Sequence, residues 1–351
     1  MRIAFLILNH RPPTQLLRLI NTIRRELPDS PIVVHHDEFA ADLSRSLLDF
    51  DDNAFLLTTG TPISWGDFGV VDAYWQCLAW MGENVDFDYV VLLSGQDYPI
   101  KPLRLLAADL AATDADIVVK ANPIDKLSRR KQRVSRRRYL YQYRPARTAA
   151  RPSPAAAGPA RTAALPSRTA DWPSRARCWL RRRAGIVVDV LNNVQPFVHV
   201  YKFSDRQPWW LGRRSRHTPF TAAEPCWFGS MWLALSRRAA GYVVASVRDR
   251  PDFVDYYRRT AHSDESATAT LVCNAPWARV ERRDLHYVRW TDPRAGHPDV
   301  FRAEDLPELL AAPGYFARKF DIATDARILD ELDQMLAQAA VATVAETSRR
   351  D

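Results

Sequence analysis

The sequence lacks the motifs that mark several large enzyme classes. Its 12 glycines include no Gly-x-Gly pair, so the dinucleotide-binding fingerprint and the Walker A loop are both absent. Neither a Gly-x-Ser-x-Gly nucleophile elbow nor a His-Glu-x-x-His zinc motif occurs. These absences exclude most oxidoreductases, kinases and serine hydrolases.

Cysteines and long apolar runs are also scarce. The four cysteines have no paired spacing, which argues against a disulfide framework and against a zinc site. No apolar run reaches the ~18 residues of a membrane span, and residues 1–8 are typical of a first β-strand rather than of a signal peptide. We therefore expect a soluble protein in a reducing, cytoplasmic setting.

The charge is distributed unevenly along the chain. Lys and Arg number 49 against 41 Asp and Glu, a net charge of +8. Residues 126–183 contain 18 basic residues and one acidic residue, whereas the remainder has 31 basic and 40 acidic residues. Residues 145–174 are rich in Pro, Ala, Arg and Ser and have no apolar periodicity. The pattern predicts an acidic body with a basic, partly disordered insert at residues 126–183.

Short apolar runs alternate with helical patterns over the first 120 residues. The predicted strands are Ile3–Leu8, Ile32–His36, Ala54–Leu57, Tyr89–Leu93 and Ile117–Lys120. The predicted helices are Pro13–Glu26, Phe39–Leu48, Phe68–Met81 and Leu103–Ala112. This alternation predicts an α/β fold with a single mixed, mostly parallel sheet flanked by helices, in which ligands bind beyond the carboxyl ends of the strands.

Residues after the insert have few strand patterns, so we expect them to complete the same sheet rather than to form a second domain. The predicted organisation has three parts. Residues 1–125 form the first half of this domain, residues 126–183 form the insert, and residues 184–351 form the second half.

Nucleotide-sugar transferases built on one α/β sheet are not excluded. Many of them hold a divalent cation with an Asp-x-Asp motif that follows a strand. The two candidates here, Asp86–Asp88 and Asp114–Asp116, precede their predicted strands and are interpreted as acids at the wrong edge. The strand Tyr89–Leu93 instead runs into a polar turn that contains Asp97, a residue that by itself is typical of a turn.

Short blocks of characteristic sequence occur in order along most of the chain. They are His35–Asp37, Ser64–Ala73, Leu92–Ile100, Gly229–Arg237, Ser263–Asn274, Leu285–Trp290 with His297–Pro298, and Phe316–Asp321. Together they resemble the core-2/I-branching N-acetylglucosaminyltransferase family, which also contains peptide O-xylosyltransferases and plant β-glucuronosyltransferases. The insert at residues 126–183 contains none of these blocks.

The resemblance implies an inverting, metal-independent glycosyltransferase of the GT-A type that uses a UDP-sugar as co-substrate and no cofactor. Glu265 is then the general base, and Arg318 with Lys319 holds the diphosphate of the donor. The other implied site residues are Asp37 and Trp65 at the nucleotide, and Asp97, Ser230, Trp232 and Asp264 at the sugar or acceptor. The resemblance also implies that residues 1–125 are the nucleotide-sugar-binding half and residues 184–351 the acceptor-binding and catalytic half. The donor sugar stays open among GlcNAc, xylose and glucuronate.

The chemistry of these residue types agrees with those roles, although each has a plainer interpretation. Glu265 begins a predicted helix, where acids are common and where Asp264 would serve as an ordinary N-cap. A carboxylate there could also accept a proton from an acceptor hydroxyl. Arg318 and Lys319 supply fixed positive charge for a departing diphosphate, or form a solvated basic pair. His262 is expected at the surface.

A third cation for the diphosphate is not determined by the sequence. Arg289, Arg294 and Arg302 all lie in the right region of the chain. The acceptor is equally open among a glycan, a lipid-linked glycan and a peptide, with polysaccharide assembly as the expected setting.

The alternative to an enzyme is a non-catalytic sugar- or polyanion-binding protein that acts through the basic insert. Contact of that insert with an anionic membrane would place the protein peripherally at the inner face of the membrane. No nucleic acid partner is expected, because the insert has no recognisable binding module and the body is acidic.

Overall fold

The computed structural model describes residues 1–41, 43–48, 51–60, 63, 66–145, 188, 190, 192, 195–201, 209–292 and 297–347. Its centre is a seven-stranded sheet. The strands are β1 (Ile3–Asn9), β2 (Ile32–His36), β3 (Ala54–Leu57), β4 (Tyr89–Ser94), β6 (Ile117–Val118), β12 (Ala234–Ser236) and β13 (Val280–Glu281). Their order in the sheet is β13-β6-β12-β4-β1-β2-β3.

The sheet is mixed and mostly parallel, as the sequence predicts. Strand β1 pairs in parallel with β2 and β4, β2 pairs in parallel with β3, and β13 pairs in parallel with β6. Only β12 runs antiparallel to its neighbours, β4 and β6. Because β12 and β13 come from the second half of the chain, both halves build one sheet.

Helices cover both faces of this sheet. They are α1 (Pro13–Glu26), α2 (Gly69–Asn84), α3 (Leu103–Ala112), α4 (Arg129–Tyr139), α5 (Arg237–Asp249), α6 (Pro251–Tyr257), α7 (Ala267–Cys273), α8 (Leu306–Ala311) and α9 (Arg327–Thr347). None of the described helices is long and apolar enough to cross a bilayer.

Alternation along the central strands divides the core into two layers. On β1, Ala4 and Leu6 face the layer that contains α2, α5 and α7. Ile3, Phe5 and Ile7 face the layer that contains α1, α3 and α9. Both sides of β1 are fully enclosed, which explains why its sequence is a continuous apolar run.

Three smaller sheets surround the carboxyl edge of the main sheet. Strand β15 (Phe316–Arg318) lies between β5 (Asp97–Pro99) and β14 (His286–Val288). The second sheet pairs β7 (Ala121–Pro123) with β11 (Trp227–Gly229), and the third has the order β8 (Tyr141–Pro145), β10 (Trp210–Arg214) and β9 (Val198–Tyr201).

A tight turn connects β4 to β5 at Gly95. A Cβ atom at this position would lie 2.2 Å from the side-chain oxygen of Asn9, which ends β1. Only glycine permits that approach. The amide nitrogen of Asn9 in turn donates to the carbonyl of Arg11 (2.8 Å) and lies 3.0 Å from Nδ1 of His36. The ends of β1, β2 and β4 are thereby held together.

The helix predicted at Phe39–Leu48 is wrong. The described residues there contain only a 3-10 turn, Arg45–Leu48. The carboxylate of Asp37 accepts a hydrogen bond from the backbone nitrogen of Phe39 (3.1 Å), and the carbonyl of Asp37 accepts from Ala40 (3.0 Å). These bonds close a turn at Asp37 that is not continued as a helix.

The first third of the predicted insert is regular structure. Residues 129–139 form α4, and β8 follows it directly and pairs with β10. Residues 146–187, which include most of the segment predicted to be disordered, lie outside the described residues.

Candidate active site

The guanidinium of Arg318 is held from three sides at the carboxyl edge of the sheet. Arg318 ends β15, where it lies opposite Asp97 of β5. Its Nη1 atom lies 3.3 Å from a carboxylate oxygen of Asp97 and 3.2 Å from the hydroxyl of Ser94. Its other side covers the ring of Trp232, with 4.4 Å between the guanidinium carbon and the ring centroid. Arg318 therefore has one fixed orientation.

Asp97 is completely buried and serves that orientation. Its carboxylate accepts from the backbone nitrogen of Ser94 (2.7 Å) and from the Ser94 hydroxyl (2.9 Å). Nε2 of His286 lies 3.4 Å away. Burial opposes ionisation, but Arg318 and His286 hold the pKa of Asp97 below its usual range. With no exposed surface, Asp97 contacts Arg318 instead of opening toward a sugar.

Trp232 lies next to this cation, and Ser230 lies next to Trp232. The ring of Trp232 packs against His286 (5.5 Å between centroids), and His286 stacks on Phe316 (5.2 Å). The backbone nitrogen of Trp232 donates to the hydroxyl of Ser230 (3.1 Å). Since Trp232 is only half-buried, one part of its ring supports Arg318 and another part is exposed.

Lys319 belongs to the same positive cluster. Partial burial and the charges of Arg11 and Arg318 lower the pKa of Lys319. No described carboxylate lies within 4.0 Å of a side-chain nitrogen of Arg11 or Lys319. Although Asp97 pairs with Arg318 and Asp321 acts on Lys319, the concentration of cations at this edge attracts an anion.

Arg11, which lies near Lys319, was not among the three arginines that the sequence left open as a further cation. Arg289 is neutralised by Asp299, Asp305 and Glu308 at 2.6–3.1 Å, and Arg294 lies outside the described residues. Arg302 is exposed and begins a 3-10 turn. The signal for Arg11 was present, because it follows the carboxyl end of the first parallel strand.

Asp37 closes β2 beside this cluster. Its two carboxylate oxygens accept from the backbone nitrogens of Phe39 (3.1 Å) and Ile63 (3.3 Å). The side chain thus joins the loop after β2 to the loop after β3. Trp65, the other residue predicted at the nucleotide, lies outside the described residues.

The carboxylates of Asp264 and Glu265 occupy a 3-10 turn, Ser263–Glu265, before α7. Glu265 is about one third exposed (34%) and makes an ion pair with Arg138. One oxygen of Asp264 is buried without a hydrogen-bond partner. Burial and the neighbouring charge of Glu265 raise the pKa of Asp264 to about 7, against the opposing effect of Arg138.

His262 lies in the interior and not at the surface, so this expectation is wrong. Its backbone adopts the left-handed conformation, with φ 51° and ψ 51°. The backbone nitrogen donates to the carbonyl of Gly66 (2.8 Å), and the ring Nε2 lies 2.8 Å from the hydroxyl of Tyr201. The hydroxyl of Tyr139 donates to the His262 carbonyl (3.2 Å). These contacts fix the start of the carboxylate turn.

Arg138 is a site residue that sequence reasoning missed. It comes from α4, inside the segment set apart as an insert, and its side chain is 19% exposed. Its carbonyl also accepts from the backbone nitrogen of Ala261 (3.2 Å). In the sequence Arg138 is the last of three consecutive arginines. Such a run is typical of a solvated charged face, so the sequence does not show that Arg138 turns inward.

The two Asp-x-Asp motifs lie at the opposite edge of the sheet. Asp88 precedes β4 and accepts from the backbone nitrogen of Arg2 (2.6 Å). Asp116 precedes β6 and accepts from that of Arg279 (3.0 Å). Among the described residues, no group of three or more His, Cys, Asp or Glu side chains is arranged to hold a metal ion.

The model of the Core-2/I-Branching enzyme family matches residues 3–152 and 193–310, and the chain belongs to this family. The match includes residues 126–152, so the helix that carries Arg138 is part of the family pattern. It also includes Asp37, Asp97, Trp232 and Glu265, and it ends before Arg318 and Lys319.

Two plant proteins are similar over part of the chain. β-Glucuronosyltransferase GlcAT14A of Arabidopsis thaliana is 32% identical over 146 residues, which are 41% of this chain and 31% of that protein. GlcAT14B of the same plant is 29% identical over 147 residues, 41% of this chain and 32% of that protein. The match thus spans about a third of each relative.

Solved structures resemble smaller parts of the fold. TarS 1-349 from S. aureus has a TM-score of 0.27 at 14% identity, covering 36% of this chain and 38% of that chain. The galactosyltransferase LgtC, in complex with donor and acceptor sugar analogs, has a TM-score of 0.25 at 17% identity, covering 38% and 51%.

Proposed function

We propose that the protein is an inverting glycosyltransferase that moves a sugar from a UDP-sugar to a hydroxyl group of a glycan or peptide acceptor without a metal ion. The observation that carries this proposal is the cluster of Arg11, Arg318 and Lys319 at the carboxyl edge of the parallel strands. Membership of the Core-2/I-Branching enzyme family supports it. The cluster supplies the charge that a divalent cation supplies elsewhere.

The cluster binds the diphosphate of the donor in this proposal. Arg318 forks onto phosphate oxygens from a position set by Asp97 and Trp232, and Lys319 and Arg11 add positive charge. As the bond to the sugar breaks, negative charge grows on the departing UDP. Cations that are already oriented stabilise that charge without reorganisation.

Glu265 is the general base in this proposal. It accepts the proton of the acceptor hydroxyl as that oxygen attacks the anomeric carbon and UDP departs. The ion pair with Arg138 orients the carboxylate. Because the pKa of Asp264 is raised to about 7, Asp264 holds a proton below that pH and leaves a single negative charge on the pair.

The remaining predicted residues bind the two substrates in this proposal. Asp37 and Trp65 contact the uridine and ribose, and Ser230 and Trp232 lie along the donor sugar. Asp264 contacts the acceptor next to Glu265. Asp97 acts on the donor through Arg318 rather than by direct contact.

Glucuronate is the first donor sugar to test, since both plant relatives are named β-glucuronosyltransferases. Xylose and GlcNAc follow it. We propose a cytoplasmic reaction that contributes to polysaccharide assembly.

The test is release of UDP from UDP-glucuronate, UDP-xylose and UDP-GlcNAc in EDTA, with and without added Mn²⁺. The proposal predicts release from one donor that EDTA does not reduce and that Lys319→Gln slows. The exposed Lys126→Gln is the matched control. Release only with Mn²⁺ contradicts the metal-free mechanism, and no release from any donor contradicts the assignment as a transferase.

A further inference from the structure

A cavity of about 760 Å³ opens along α4, separate from the residues of the candidate active site. Its walls come from α4, from Asn192, Gln195 and Pro196, and from β10. Six of its lining residues are Arg129, Arg133, Arg136 and Arg137 of α4, Tyr141 and Arg214. No described acidic residue lines it.

The arginines that α4 contributes to the cavity lie close enough in sequence and on the helix surface to contact one ligand together. The four on α4 are spaced i, i+4, i+7 and i+8, so they share one face of the helix. Four of the five, namely Arg129, Arg133, Arg136 and Arg214, are exposed and make no ion pair with a described carboxylate. Such a concentration of like charge attracts an anion.

Hydrogen bonds tie the walls of this cavity together. Arg137 donates from Nη2 to the carbonyl of Asn192 (2.8 Å). The hydroxyl of Tyr141 donates to the carbonyl of Pro196, and the amide of Gln195 donates to the carbonyl of Val198 (2.6 Å). The arginines therefore surround a concave site with defined walls rather than standing on a flat surface.

The same helix leads to the proposed base. Arg138 follows the cavity residue Arg137 and makes the ion pair with Glu265. The helix that lines the cavity therefore also carries the residue that pairs with the proposed base.

We infer that this cavity binds an anionic oligosaccharide, so that the acceptor of the transferase carries carboxylate or phosphate groups. That the bound oligosaccharide is the acceptor rests on the proposed function. Arginine pairs bidentately with both groups. The concave shape and the tyrosine suit several sugar units, whereas a lipid surface requires a convex or flat basic face.

The test is calorimetric binding of three probes: an oligogalacturonate hexamer, a phosphorylated pentamannoside and neutral maltohexaose. The cavity variant is Arg133→Gln with Arg214→Gln. The control is Arg130→Gln with Arg213→Gln, which removes two exposed charges from the same helix and strand outside the cavity. Both variants lose the same net charge, so only the place of the charge differs.

We expect an anionic probe to bind, the neutral probe not to bind, and the cavity variant to weaken binding by about tenfold while the control changes it less than about twofold. Tighter binding of one anionic probe than of the other identifies the anionic group, carboxylate or phosphate, that the cavity prefers.

Three results would overturn the inference. One is equal weakening of binding in both variants, and another is binding of maltohexaose as tight as that of the anionic sugars. The third, measured with anionic vesicles and an oligonucleotide as additional probes, is cavity-dependent binding of either of them when neither anionic sugar binds.

Release of UDP without an acceptor separates this inference from the proposed function. Both double variants should release UDP from the donor at the wild-type rate, since neither touches Arg11, Arg318 or Lys319. If cavity-dependent binding is found but no donor is ever cleaved, the proposed function fails and the anionic site stands.

Discussion

The buried carboxylate of Asp97 fixes Arg318, with 3.3 Å between the closest atoms of the pair. Asp97 lies in the turn after β4, and Arg318 ends β15, more than 200 residues later. Their contact brings a cation from the last part of the chain to the carboxyl edge of the central sheet. The anion site thus exists only once both parts have folded together.

Replacing Asp97 with Asn should disorder Arg318 and weaken the fold. A buried arginine without its counter-charge costs about 3 kcal/mol of stability, and UDP affinity should fall by about tenfold, because Arg318 loses its orientation. Chemical denaturation and calorimetry with UDP measure the two effects.

Asp109→Asn is the matched control, because it removes a half-exposed carboxylate that pairs with Arg283 away from the cluster. It should leave UDP affinity unchanged. An Asp97→Asn variant that binds UDP like the wild type would show that Asp97 does not position the donor site.

Substitutions of Lys319 and Asp37 should weaken the binding of different parts of UDP. Lys319→Gln should weaken UDP by about tenfold and leave uridine unchanged, since only UDP carries the diphosphate. Asp37→Asn should weaken UDP and uridine by the same factor. Calorimetry with both ligands checks this, and a Lys319 variant that loses uridine equally would contradict the diphosphate assignment.

Asp264 should make stability depend on pH. Its pKa in the folded protein is raised to about 7, above the ordinary value of the unfolded chain. The contribution of Asp264 to stability is therefore fully present below about pH 4 and is lost as the pH rises from about 4 through about 7. The stability advantage of Asp264→Asn over the wild type should grow by about 2.5 kcal/mol between pH 5 and pH 8.

Urea denaturation at pH 5 and pH 8 measures the difference, with the exposed Asp252→Asn as control. A difference in stability between Asp264→Asn and wild type that is the same at pH 5 and pH 8 would show that Asp264 is not held protonated.

Arg138 should act on turnover through Glu265. Arg138→Gln should lower kcat by about tenfold to 100-fold with little change in the donor KM, because the base loses its orientation but the donor site is intact. Arg138→Lys should recover part of the loss. The exposed Arg130→Gln on the same helix is the control, and an unchanged kcat in Arg138→Gln would rule out this role.

Local sequence patterns predicted much of the sheet and its helices. The bounds of α1, α3, β2 and β3 agree with the expectation residue for residue, because their apolar spacing is unambiguous. The helix expected at Phe39–Leu48 is replaced by a turn at Asp37 and a 3-10 turn at Arg45–Leu48, because its local apolar pattern does not decide between a helix and shorter turns.

The contacts within the site could not be predicted in the same way. Asp97 pairs with Arg318 and Arg138 with Glu265 across more than 100 residues, and no local pattern encodes such pairs. His262 was expected at the surface, but Tyr139 and Tyr201 from distant segments enclose it. The interpretation of residues 126–183 as an insert likewise hid α4, whose arginines resemble a solvated charge run.

The stereochemistry of transfer, measured with Glu265→Gln beside the wild type, tests the central claim most directly. Proton NMR of the anomeric signal should show a β-linked product from an α-linked UDP-sugar, and Glu265→Gln should lower kcat by about 1,000-fold while UDP affinity is unchanged. An α-linked product, or a Glu265→Gln variant that turns over like the wild type, would contradict single displacement with Glu265 as the base.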